Sequence, residues 1–384
     1  MTTRLLDAIT SLRLTITCLI AAMVLVFVGT IAQVKLGTHI AQAQYFQSLF
    51  VWWQSPTSDL RFPVLPGGHL IGGLLLINLV AAHIRRFQWG WRKLGIHLIH
   101  GGLILMLAGG LLTDLFSVET AMTLNEGATK NYTEHQRLTE LAIIDTTDPE
   151  TDTVIAIPEG RLLKGGLITH ESLPFDVSVE RFFQNSRLAM LDQAGPDAKP
   201  AADRGIGSRV AIREVPRATA MNERDLVSAQ LAILNPETGK SLGTWLASNT
   251  LGAPQAFEYG GRTWSLAIRQ ARHYRPYSIT LHDFTHERYP GTEIPKDFSS
   301  RITLVDPEKN ENREVLIYMN HPLRYRGDTF FQAGFDNNDT TSILQVVRNP
   351  SYPIPYISCV IVGVGLITQF SYHLVGFARR RRKK

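Results

Sequence analysis

Two histidines three residues apart, His97 and His100, lie in the stretch LGIHLIHGGLILMLAGGLL, Leu94 to Leu112. The stretch is otherwise nearly all apolar, and hydrocarbon offers an imidazole few partners. Residues i and i+3 share one side of a helix, so both rings point the same way. Imidazole suits zinc, copper, iron and haem. No thiolate accompanies these rings, and the one carboxylate in the apolar stretches is Asp114, at the far end of the same segment. A bare histidine set in apolar surroundings fits axial ligation of haem better than capture of a hydrated divalent ion. Gly101 and Ala108 fall within about 40° of His97 on the 3.6-residue period, leaving room for a helix or a flat macrocycle. Gly102 and Gly109 line a second face suited to helix packing.

The elements that must position these rings are four apolar runs of membrane length. They are Leu14 to Val34, Leu65 to Ile84, Leu94 to Phe116 and Ile354 to Phe377. Arg4 and Arg13 precede the first, RRFQWGWRK joins the second and third, and RRRRKK follows the fourth. These three segments hold twelve of the 39 basic residues and only Asp7 of the 34 acidic ones. Positive charge marks the cytoplasmic side, so four spans with both termini inside are expected. The overall charge of +5 is then an orientation signal, and gives no support for nucleic-acid binding. AQA at Ala41 to Ala43 fits a signal-cleavage pattern, but the preceding apolar run is longer than a usual signal core and sits well upstream, so a retained helix is expected. Cys18 and Cys359 both fall in spans, and no CxxC occurs, which excludes a thiol–disulfide enzyme or a zinc thiolate site.

This topology places His83, at the end of the second span, and His373, near the end of the fourth, at the depth of His97 and His100. Polar groups at such depth are functional candidates. The plainer alternative is an interfacial histidine reaching headgroups or water. That alternative suits His83 and His373, which neighbour Arg85 and Arg379. His100, deeper and followed by Gly-Gly, reads as a ligand; His97 stands between the two. His69, at the outer end of the second span, is a further candidate.

Residues from Ser117 to Pro353 read as β-structure. SRVAIREV, SAQLAIL, RTWSLAIRQ, YSITLHDF, SRITLVD, REVLIYMN and TSILQVV alternate and are rich in β-branched and aromatic residues. NPETGK, EYGGRT, VDPEKNEN, RYRGDT and FDNNDT separate them as turns. An antiparallel sandwich or barrel-like all-β extracytoplasmic domain is expected over 117–353. Leu191 to Ser208, rich in Pro, Gly, Ala and Asp, is expected to be a mobile loop. SLFVWWQS, in the outer loop 35–64, reads as an interfacial aromatic segment.

Other constellations carry weaker signals. His282 and His286 share a face of a regular strand, but about 13 Å apart, too far for one metal. Asn320-His321-Pro322 reads as a turn. RHYRPY, Arg272 to Tyr277, has the chemistry to meet haem propionates or an acidic partner, against a plainer solvated strand edge. A membrane b-type haem electron carrier competes as a function, because His69 and His83 stand on nearly one face of the second span. Its outer haem would lack a second ligand, since the first, third and fourth spans carry no outer histidine. An anchor or sensor with incidental histidines is a third class. No hydrolytic or transferase constellation is visible, and no autonomous enzyme activity is expected.

The chain resembles the ResB (CcsB) family of the system II cytochrome c maturation machinery. SLRLTITCLIAAMVLVFVGTIAQ is similar to the family's first span, and LGIHLIHGGLILMLAGGLL to its third, with His100-Gly-Gly at the His-x-Gly position. LHDFTHERYPGTEIPKDFSSRITLVD and VLIYMNHPLRYRGDTFFQAGF resemble two further blocks of that family. The resemblance implies a subunit that, with a CcsA/ResC-type membrane partner, delivers haem b outward and presents it for attachment to apocytochrome c. It implies His100, and less directly His97, as an axial ligand of the inner haem. Thiol-reducing proteins of the same pathway are further implied partners. The implied location is a bacterial cytoplasmic membrane, with a thylakoid membrane as the alternative. WGWRK does not match the tryptophan-rich haem motif that belongs to the partner.

Overall fold

The computed structural model describes residues 2–55, 60–218, 224–292, 295–336 and 340–382. Parts of three stretches read above lie outside the described residues: FDNNDT at 337–339, RRRRKK at 383–384, and GTEIPK at 293–294. The chain forms two compact units, one of Met1–Val118 with Arg348–Lys384, the other most of Glu119–Val347.

The helical unit contains α1 (Thr2–Ile9), α2 (Leu12–Ala41), α3 (Gly68–Arg85), α4 (Leu94–Phe116) and, after the β-rich unit, a terminal helix. Four of its helices are long and apolar enough to cross a membrane. Ser11 caps α2, its Oγ accepting a bond from the Arg13 amide. The helix does not stop at Val34 as expected. It breaks at Gly37, whose φ of 74° suits a residue without Cβ, and resumes to Ala41. His39 therefore lies on this helix, and the expected absence of a histidine beyond the end of the first span is corrected. SLFVWWQS, expected as an interfacial aromatic segment, contributes an antiparallel hairpin of β1 (Phe50–Gln54) and β2 (Arg61–Pro66).

The second unit is the all-β domain, with strands β3 (Val118–Asn125), β4 (Thr129–Asp145), β5 (Thr153–Pro158), β6 (Gly166–Ile168), β7 (Asp176–Phe183), β8 (Ser186–Met190), β9 (Val210–Glu214), β10 (Ser228–Leu234), β11 (Ser241–Ser248), β12 (Gln255–Tyr259), β13 (Arg262–Arg288), β14 (Pro295–Asp306), β15 (Glu311–Tyr318), β16 (Leu323–Tyr325), β17 (Asp328–Asp336) and β18 (Thr341–Arg348). One helical turn, α5 (Glu159–Leu162), interrupts them, and α6 (Pro353–Arg381) is the terminal helix. Both expected architectures are present. A four-stranded sheet, β11-β10-β7-β6, packs face to face on part of a ten-stranded sheet, enclosing Phe175, Leu231 and Trp264. The rest of the large sheet curls into a nearly closed antiparallel barrel around Tyr277, Ile302 and Phe330.

RTWSLAIRQ and YSITLHDF, read as two strands, are one strand of 27 residues that contributes to both cores. Pro276 does not break it, because the pairing with β4 shifts register between Tyr274 and Ile279. A proline with no N–H is tolerated where the ladder is already interrupted. The loop Leu191 to Ser208 is irregular as expected, but its second half is pinned. Ala201 and Ala202 are buried against Val210 and Leu246, and Gln230 Nε2 donates to the Ala201 carbonyl at 2.6 Å.

Candidate functional site

Helix α4 is sandwiched by its own small residues. Gly95, Gly102 and Gly109, seven apart, are all buried and meet Gln369, Val362 and Ile354 of α6. Glycines let two backbones approach closely without competing side chains. The 3.6-residue period turns His97 and His100 away from that face. They meet α3 instead. The His83 ring lies 5.2 Å from the His97 ring, edge-on, and 5.6 Å from the His100 ring, nearly parallel. Phe87 closes on His97 at 4.6 Å.

The hydrogen bonds fix the imidazole tautomers. His100 Nδ1 is 2.8 Å from the Ile96 carbonyl. A carbonyl only accepts, so Nδ1 carries the proton and Nε2 keeps its lone pair. His97 Nε2 is 2.9 Å from the Gln88 carbonyl, which leaves the buried Nδ1 with a lone pair and no partner. A Cβ built on Gly101, next to His100, would meet nothing within 4 Å, so that side of α4 is open. Among the described residues, no group of three or more His, Cys, Asp or Glu is arranged to hold a bare metal ion. The three rings pack; they do not converge.

The other histidines divide. His373 is exposed and bonds Gln369, one turn earlier on α6, at 2.8 Å. His69 lies at the other end of α3, its Nε2 2.7 Å from Asp114 Oδ2, while Gln47 donates to Asp114 Oδ1 at 2.6 Å. Hydropathy alone gave no sign of that carboxylate pairing.

In the β-rich unit, His282 and His286 do not share a face. The pairing with β14 shifts register between Leu281 and Asp283, a bulge that rotates the following side chains. His282 bonds Thr303 Oγ1 at 2.6 Å, while His286 packs on Phe335 at 4.2 Å. His321 stacks on Tyr318 at 4.1 Å in a turn where Asn320 has φ 64°. RHYRPY is partly a solvated edge, with His273, Tyr274 and Pro276 exposed, but its arginines are paired. Arg272 Nε pairs with Glu134 at 3.0 Å and stacks over Tyr132. Arg275 pairs with the buried Asp328 at 2.8 Å, and the Tyr277 hydroxyl donates to the same carboxylate at 2.6 Å. Burial, then that carboxylate, pushes the Tyr277 phenol well up.

Residues 257–343 match the family model described as ResB-like family. Residues 257–343 thus form a ResB-like region, which bears out the resemblance read from the two blocks between Leu281 and Phe335. NrfI of Wolinella succinogenes is 34% identical over 92 residues, 24% of this chain and 10% of that protein. The cytochrome c biogenesis protein CcsB of a Picosynechococcus is 32% identical over 81 residues, 21% of this chain and 17% of the relative. A CcsB of a Synechococcus is 36% identical over 78 residues, 20% of this chain and 17% of the relative. These matches span well under a quarter of each relative's own length. The family-model match contains Tyr277, Asp306, Tyr325 and Asp328, and ends short of α6.

Proposed function

We propose that the chain is a membrane subunit of a cytochrome c maturation complex, holding haem b as cargo at the His83–His97–His100 cluster. The ResB-like domain and relatives named as cytochrome c biogenesis proteins support the maturation role. The observation that carries the haem reading is His100. Its Nδ1 proton is committed to the Ile96 carbonyl, so Nε2 is in the state an iron ligand needs. The open face at Gly101 accommodates a flat ring beside it. The unpartnered Nδ1 of His97 is a second buried lone pair in the same cluster, and His83 supports both rings. His69, held by Asp114, is a weaker candidate for a second haem position at the other end of α3.

The positive-inside charges support both termini and the histidine cluster on the cytoplasmic side of a bacterial cytoplasmic membrane, or of a thylakoid membrane. The β-rich unit then faces outward, where apocytochrome c is met. A CcsA/ResC-type partner supplies the opposite axial ligand and the attachment chemistry. The chain acts within that complex and has no autonomous enzyme activity. Thiol-reducing proteins of the pathway keep the apocytochrome ready.

The test is to purify the chain with its partner and record haem spectra and c-type cytochrome yield for wild type, His83→Ala, His97→Ala and His100→Ala. His100→Ala should lose most of the bound haem. Unchanged haem and yield in that variant would remove the ligand assignment. The pairing of His69 with Asp114, 14 residues from His83 on one helix, is the observation that keeps a b-type electron carrier as the second reading. A reversible haem potential in the isolated chain, with normal cytochrome c assembly in its absence, would favour it.

A further inference from the structure

The long strand β13 has a gap along one side. β12 runs against it only as far as the pair Gln255↔Leu266, and β14 begins only at Val305↔Ser278. Between these points, among the described residues, no strand is registered against that side. The hairpin pair Tyr259↔Arg262 closes a two-residue Gly260-Gly261 turn. Such a pair exchanges both hydrogen bonds, and the facing side then alternates. Arg262, Trp264 and Leu266 therefore face β12, while Thr263 faces β4, as its carbonyl bond from the Thr146 amide confirms. By the same alternation the backbone groups of Ile268 and Gln270 face the gap. β12 does not reach them, because the chain before it bends away at Gly252 and Ala253.

A cavity of about 600 Å³ lies on this gap, lined by Ala267, Ile268, Arg269 and Gln270 of β13 and by Asn249 and Gly252 of the loop before β12. Three buried side-chain atoms in its lining have no hydrogen-bond partner: Arg269 Nη2, Gln270 Oε1 and Asn249 Oδ1. Buried polar atoms are otherwise almost always satisfied. One donor and two acceptors are what a peptide, which offers both carbonyls and amides, would complete. Arg224, exposed on the rim, makes no ion pair among the described residues, and Arg272 also reaches the cavity. Asp152 is a carboxylate in the lining. The charge at the Arg224 side is positive.

We propose that an extended segment of a partner protein adds to β13 at Ile268 and Gln270 as an extra strand, with an acidic side chain placed against Arg224. Strand addition draws affinity from main-chain bonds and specificity from alternate side chains. The gap spans eleven residues of β13, Ala267 to Tyr277, so a hexapeptide at roughly 3.3 Å per residue covers about half of it. The simpler role of arginines and Pro276 here is to guard an open edge from aggregation. Guarding does not account for three unpartnered atoms around a cavity. The proposal stands apart from the haem reading, since it concerns a different unit.

The test uses the full chain in detergent and fluorescein-labelled hexapeptides of alternating Thr and Val with Asp, Asn or Lys at the third position. Binding is read by fluorescence anisotropy. The Asp peptide should bind at least about tenfold tighter than the Lys peptide. N-methylation of one alternate set of its amides should abolish binding, while methylation of the other set should leave it. Arg224→Glu should reverse the charge preference. Gly252→Trp, placed where a side chain meets open space, should block every peptide. Neither variant touches a core. The proposal is overturned if no peptide binds at about 1 mM, if the two methylated sets behave alike, or if succinate alone competes as well as the peptide. That last result would mark a carboxylate pocket and no strand site.

Discussion

Thr15 of α2 donates from its hydroxyl to Oδ1 of Asn78 on α3 at 2.6 Å. Asn78 is 3% exposed, and its Nδ2 donates in turn to the Ile9 carbonyl at the end of α1 and to the Ser11 carbonyl, which also accepts from the Leu14 and Thr15 amides at the start of α2. One amide thus joins three helices. Helix association within hydrocarbon lacks a hydrophobic drive, so such bonds count. Asn78→Leu should weaken the helical unit by about 0.5–2 kcal/mol, seen as a lower melting temperature in detergent. A Thr15→Val/Asn78→Leu double cycle should show strong non-additivity. Additive effects would mean that the two side chains do not act together.

The glycine face of α4 gives a second prediction. A Cβ on Gly102 would lie 2.6 Å from Val362 Cγ2 and 3.1 Å from the Ser358 carbonyl. Gly102→Val should force α4 and α6 apart, at about 1–3 kcal/mol, and lower the yield of folded protein. Gly101→Ala should leave the fold intact, since that side is open. Gly101→Leu would then test the haem reading separately, by reducing haem content without loss of the fold.

Asp328 is fully buried between Tyr277 and Arg275. Removing one partner of a buried pair strands the other charge. Asp328→Ala should therefore cost about 3–5 kcal/mol, with loss of the barrel's protease resistance. Full resistance in the variant would show that Arg275 finds another partner.

Asp306 supplies a pH dependence. Burial works against its charge, but the Tyr325 hydroxyl, the Lys309 amide and the Arg326 guanidinium outweigh it and hold the carboxyl below its ordinary value of 3.8. A depressed folded value means that the unfolded state binds the proton first as pH falls. The stabilisation is therefore complete well above pH 3.8 and declines below it, through the folded value. Melting temperatures of the full chain between pH 7 and pH 3 should fall on the acid side. Asp306→Asn should start lower at pH 7 and fall less steeply. An equal acid slope in both proteins would assign the loss to other carboxylates.

The four apolar helices were legible because length and hydropathy alone mark them. Their contacts were not. That His83 would meet His97 and His100 while His373 would not depends on how α4 turns its glycines to α6. Strand content was legible from alternation, but the continuity of β13 was hidden by Pro276, which reads as a break until the interrupted ladder is seen. The bulge at His282 likewise reverses a face assignment that spacing alone would make. Asp306, Tyr325 and Asp328 stood inside blocks recognised by resemblance. Only the packing shows Tyr325 donating to Asp306, and Tyr277 to Asp328, inside a core.

Because β13 threads the sandwich and the barrel as one uninterrupted strand, neither core owns its own backbone. Trp264 and Tyr277 belong to different cores yet stand on one inextensible rod. The β-rich unit has no seam at which it can be divided into independently folding halves, and strain applied to one core is carried along the chain to the other.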